Sequence, residues 1–141
     1  MKKWTLLLSA SALLLAACGP SESPSSFFEK YNQKVIAGLD YDTEMGYYTQ
    51  RKQEELEASF PKYMQQMNKS RDEVKAFYQK FSQRVSKCQE LRLKEERVDD
   101  DQAYLVYDSK DTCSKAGGNQ TTKVRLIKED GWKIDDVEIV L

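Results

Sequence analysis

Histidine is absent from all 141 residues. That absence removes the side chain that titrates most readily near neutrality, and with it Ser-His-Asp and Cys-His nucleophiles and the commonest nitrogen ligand for metals. Cysteine is scarce, with three residues spaced too widely for a thiolate metal site. The one long apolar run, Trp4 to Leu15, is shorter than the roughly 20 residues a membrane-spanning helix needs. Neither sign of charge dominates: 22 basic and 23 acidic side chains are interspersed, with short like-charge runs such as Glu54-Glu55 and Asp99-Asp100-Asp101. Nucleic-acid binding needs a concentrated positive footprint, and none is written here. A phosphate-cradling loop is also missing, since Gly117-Gly118 leads into Asn119-Gln120-Thr121 rather than Lys-Ser or Lys-Thr. No cofactor or metal is expected from this composition.

What is present begins with an export signal. Lys2 and Lys3 precede the apolar run, and the small residues Ala16 and Ala17 lead to Cys18. The segment Leu15-Ala16-Ala17-Cys18-Gly19 resembles the lipobox of bacterial lipoproteins. That resemblance implies cleavage before Cys18 and acyl chains on its thiol and amino group, two or more of which hold a protein stably to membrane lipid. Gly19, where an inner-membrane retention signal places Asp, implies an envelope location at the outer membrane, facing the periplasm. The alternative is a plain secreted protein with Cys18 near its new N-terminus. The chain then divides into a signal peptide (1–17), a Gly-, Pro- and Ser-rich lipidated tether (18–26) and one domain (27–141).

With Cys18 assigned to lipid, Cys88 and Cys113 are the remaining pair, and an oxidising compartment favours a disulfide between them. Reflecting Cys88 through a turn at Asp99-Asp100-Asp101 lands near residue 111, within a register adjustment of Cys113. Two free thiols or a two-thiolate metal site are the competing readings.

Helical spacing dominates the first half. Ser26 and Glu29 resemble a capping box for a helix to Ala37, with Phe28, Tyr31, Val35 and Leu39 on one face and Gly38 ending it. A second helical region begins near Asp42 or Thr43 and is expected to break at Thr49 and Pro61. Ser70 with Glu73 opens another helix, whose Val74, Phe77, Tyr78, Phe81 and Val85 form the cleanest apolar stripe. From Cys88 the period changes to two, and four strands are expected, with Ala103 to Tyr107 central and a hairpin turn at Glu129-Asp130-Gly131. Trp132 and Ile134 share one parity and Val137, Ile139 and Leu141 the other, so a bulge is expected at Asp135-Asp136. The fold class is α+β, helices on one face of an antiparallel sheet.

This order, ending in Asp130-Gly131-Trp132-Lys133-Ile134, resembles small bacterial lipoproteins of unknown function in the nuclear-transport-factor-2-like, or cystatin-like, superfamily. The resemblance implies a sheet curved into a cone around a pocket. It implies no activity, because such folds host unrelated functions. Enzymes of the superfamily use an Asp-His pair, which this chain lacks, or an Asp-Tyr-Asp arrangement, which Asp40, Asp42 and nearby tyrosines could assemble. Capping of the next helix accounts for those aspartates more simply. Eight tyrosines and five phenylalanines are either core, as for Tyr31, Tyr48, Phe77, Tyr78 and Phe81, or a recognition surface. Tyr41, Tyr47, Tyr104 and Tyr107 are the candidates for a pocket or interface. The function expected is a tethered, non-catalytic binding module for an envelope protein partner or a small ligand, with a pocket enzyme using buried Asp and Tyr groups as the alternative.

Overall fold

The computed structural model describes residues 21–115 and 117–140, in which helices α1 (Pro24–Ala37), α2 (Tyr41–Met45), α3 (Gln50–Met67) and α4 (Arg71–Cys88) precede strands β1 (Gln89–Asp99), β2 (Gln102–Asp111), β3 (Asn119–Glu129) and β4 (Gly131–Val140). The signal peptide expected at 1–17, the Cys18 expected to carry lipid and the last residue, Leu141, lie outside the described residues.

Local chemistry sets the helix ends. Ser23, not Ser26, caps α1: its hydroxyl accepts from the Ser26 amide, and Pro24 takes a first-turn position where a missing N–H costs nothing. The expected tether therefore loses Pro24 to Ser26 to the helix. Asp40 and Thr49 cap α2 and α3, and Ser70 with Glu73 forms a complete capping box on α4. Pro61 does not divide α3. It withholds one N–H from the ladder, but neighbouring Phe60 is buried in a cluster with Tyr41 and Val74 that ties α2, α3 and α4 together through the proline.

The strands form one antiparallel sheet in the order β1-β2-β3-β4. It is open: β1 and β4 are its two edge strands and do not pair with each other, and the sheet is not curled into the cone-like, cystatin-like form expected from the resemblance. Four strands are too few to close, since even a side-chain-filled barrel takes about eight. The extra residue in each edge strand, Lys94 in β1 and Asp135 in β4, changes which side chains face inward without bringing the edges together. The bulge at Asp135 reconciles the two parities of β4 as the alternation required: Ile134 pairs Leu126 on one side of it, and Val137 pairs Val124 on the other.

The main core lies between α1 and the sheet, where Phe28, Tyr31 and Val35 meet Ala103, Leu105, Tyr107, Val124, Leu126 and Ile134. At the end of α1, Gly38 adopts a φ of 102° that disfavours a side chain. The last carbonyls of that helix accept from α4, Ile36 from Gln83 and Gly38 from Gln79, each at 3.0 Å. These glutamines set the spacing of α1 and α4.

Asp135 anchors the helices to the sheet. Its side chain is buried, accepting from the Thr49 hydroxyl at 2.8 Å and Arg51 Nε at 3.0 Å, with Arg125 Nη2 2.5 Å from its second oxygen. Beside it the backbone closes a short parallel bridge, Ile134 N–H to the Tyr47 carbonyl at 2.8 Å and Thr49 N–H to the Ile134 carbonyl at 2.9 Å. The residue that creates the bulge thus fixes the α2–α3 joint.

Candidate functional site

That joint delivers an acid into the interior. Helix α2 is short, so Tyr41, Glu44 and the following Tyr48, spaced three and four residues apart, all turn inward. Tyr41 enters the cluster between α2, α3 and α4, whereas Glu44, only 1% exposed, reaches the boundary between α1, α4 and the sheet.

Three tyrosine hydroxyls converge on one oxygen of this carboxyl. Tyr31 donates to Glu44 Oε1 at 2.7 Å, Tyr48 at 3.1 Å and Tyr78 at 3.5 Å, and the hydroxyls of Tyr31 and Tyr48 are 2.8 Å apart. Glu44 Oε2 is buried with no partner. Burial raises the Glu44 pKa against the opposing effect of the tyrosine hydrogen bonds, so the carboxyl holds its proton more readily than an exposed glutamate. Burial, then the Glu44 charge, raises Tyr31 and Tyr78, while Tyr48 is raised by burial and next by Tyr31. The tyrosines are therefore neutral donors around neutral pH.

The cluster sits at the back of a groove of about 190 Å³. Phe28 and Val35 of α1, Phe81 and Val85 of α4, Leu91 of β1 and Val137 and Ile139 of β4 make its apolar walls, and Glu44 is the one acidic or basic side chain lining it. Phe81 and Phe77 are stacked at 6.3 Å and are 57% and 52% exposed, which corrects their assignment to the core. Helix α4 is held to α1 through Gln79 and Gln83 and to α3 through Val74, so its two phenylalanines fall beyond the covered part of the sheet. A second depression of about 360 Å³ continues past Phe81, Val85 and Gln89 to the Cys88–Cys113 disulfide. That bridge has a Cα separation of 5.2 Å. Cys88 is the last residue of α4 rather than the first of a strand, so the bond pins the groove's rear wall to the end of β2.

The four tyrosines singled out from the sequence lie elsewhere. Tyr41 is core, edge-on to Phe60 and Tyr78, with burial and then Glu57 raising its hydroxyl pKa. Tyr47 is packed between Phe27 and Tyr31, its hydroxyl accepting from Lys34 at 2.7 Å. Tyr104 is on the outer sheet face under Arg97. Tyr107 is buried against Phe28, its hydroxyl without a partner. Asp40 caps α2 and Asp42 pairs Lys75 at 2.6 Å, so the sequence-level Asp-Tyr-Asp arrangement is not assembled. The acid that sequence reasoning passed over is Glu44, whose signal was its place three residues after Tyr41 on a short helix and four before Tyr48.

Among the described residues no group of three or more His, Cys, Asp or Glu side chains could hold a metal, and no helix is long and apolar enough to cross a membrane. No protein-family model, curated protein or solved structure matches this chain.

Proposed function

We propose that this chain is a lipid-tethered envelope domain that takes up a small apolar ligand, without chemical change, in the groove between α1, α4 and the uncovered part of the sheet. The observation that carries the reading is the groove itself: an apolar cleft whose mouth, formed by Phe81, Val137 and Ile139, is left open to solvent. Exposed apolar side chains gathered around a concavity mark binding surfaces. The tether rests on Leu15 to Gly19, and it places such a domain beside membrane components.

The pocket-enzyme alternative has less to work with. Glu44 is the one carboxylate lining the groove, and its neighbours are tyrosines whose pKa values burial has raised, so no second group with a pKa near neutrality is positioned to exchange a proton with it.

A form beginning at Gly19 keeps every residue of both core clusters and suits solution work. Titrated with toluene and followed by amide NMR, it is expected to show saturable shifts around Phe81, Val85, Val137 and Ile139. Phe81→Glu, at an exposed position, is expected to weaken binding by about tenfold, the scale of one lost apolar contact surface. Shifts scattered over the surface, or unaffected by Phe81→Glu, would remove the reading. In cells, full-length protein is expected in the membrane fraction and the Cys18→Ser form outside it; equal partitioning would refute the tether.

A further inference from the structure

We propose that the groove selects a ligand bearing an ammonium group on a small apolar body, with the ammonium seated against Glu44 Oε2. This rests on the binding reading above and adds the chemical class of the ligand. The geometry divides the carboxyl into two unlike oxygens. Oε1 receives three tyrosine hydroxyls, whereas Oε2 receives none although it is buried. A buried acceptor left without a donor is costly, so a ligand that supplies N–H recovers that cost. A ligand offering only acceptors gains little, because the tyrosine hydroxyls are already engaged.

Charge points the same way. No Lys or Arg lines the groove, so a Glu44 carboxylate has no cation beside it and a bound anion would face it directly. An ammonium supplies the missing counter-charge through a charge-assisted hydrogen bond. The rings of Phe28, Tyr31, Tyr48, Tyr78 and Phe81 line the same cavity, and aromatic faces attract cations further. The raised Glu44 pKa agrees with an acid whose partner is absent. Size sets the remainder: a cavity of about 150 Å³ holds benzene, so one of about 190 Å³ suits a ring with a one-carbon amine arm.

Benzylamine, benzyl alcohol and benzoate share that size and differ in the head group. Titrated at pH 7 into the form beginning at Gly19, benzylamine is expected to bind about tenfold or more tightly than benzyl alcohol, and benzoate most weakly. Glu44→Gln keeps the side-chain shape and is expected to bring amine and alcohol to within about threefold. Val137→Lys at the exposed mouth removes an apolar contact from all three ligands and adds a cation, so it is expected to weaken benzylamine by more than benzyl alcohol. Equal binding of amine and alcohol to the parent protein, or tighter benzoate, overturns the ammonium proposal while leaving an apolar site standing. Failure of all three to bind overturns the site as well.

Discussion

Replacing Cys88 and Cys113 together by serine is expected to lower the unfolding free energy by about 3.5 kcal/mol, from the loop-closure entropy that a bridge across 25 positions removes from the unfolded chain. The magnitude is a large share of the 5–15 kcal/mol typical of a domain. The bridge also joins the end of α4 to the end of β2, where the Cys88 carbonyl accepts from the Thr112 amide at 2.8 Å and hydroxyl at 3.0 Å. Those bonds keep the helix-to-strand junction in place, so the double variant is expected to fold with a lowered urea midpoint rather than to collapse. Urea titration of the parent protein with and without reductant supplies the same comparison without mutation. A difference below about 1 kcal/mol in both experiments is incompatible with this account of the bridge.

Asp135→Asn is expected to cost about 2–3 kcal/mol. Removing one member of a buried ion pair costs 3–5 kcal/mol, and the smaller figure reflects Arg51 and Arg125, which are each about half exposed and recover part of their hydration. The change takes the charge from a carboxyl that serves Thr49, Arg51 and Arg125 together, so the α2–α3 joint is expected to loosen with it. Hydrogen exchange at the Thr49 and Ile134 amides, which form the bridge beside Asp135, should rise selectively. An unchanged urea midpoint would mean that the backbone bridge alone holds the joint.

These two acids give stability opposite dependences on pH. Burial by itself would raise the Asp135 pKa, but hydrogen bonds from Arg51 and Thr49 and the nearby Arg125 charge outweigh it and hold the value low. Its stabilisation is therefore fully present above the unfolded aspartate value, about 3.9, and is lost as pH falls through the lower folded value. Glu44 has a raised folded pKa, so its contribution is present below the unfolded glutamate value and is lost as pH rises through the folded one. Asp135→Asn should flatten the acid limb of a stability profile, and Glu44→Gln the limb above it.

Local signals were readable wherever a short stretch of chain decides its own geometry. Ser70 and Glu73 cap their helix as spaced, Gly38 ends α1, Gly131 turns the last hairpin at a φ of 80°, and the change of parity around Asp135-Asp136 is a bulge. The misreadings came where distant groups compete. Pro61 reads as a helix break, yet Phe60 beside it is held by Tyr41 and Val74 from two other helices. Phe77 and Phe81 have core periodicity, yet among the described residues they stay more than half exposed, because the helix spacing is set by glutamines that pattern analysis counts only as polar. Curvature into a cone was carried by resemblance and not by the residues, and this open four-stranded sheet does not take it up.

Sequence alone determined the helices-then-strands order, the Ser70–Glu73 cap, the central strands and the cysteine pairing, since each depends on neighbours in the chain or on simple exclusion. Tertiary structure decided which acid is buried, which oxygen of it lacks a donor, and which apolar face is left uncovered. Glu44 differs from the other glutamates only in what surrounds it: Tyr31 lies 13 positions before it and Tyr78 34 after, brought to it by the packing of α1, α2 and α4. A carboxyl's chemistry is set by desolvation and by the donors that meet it, and both arise only when distant segments pack together.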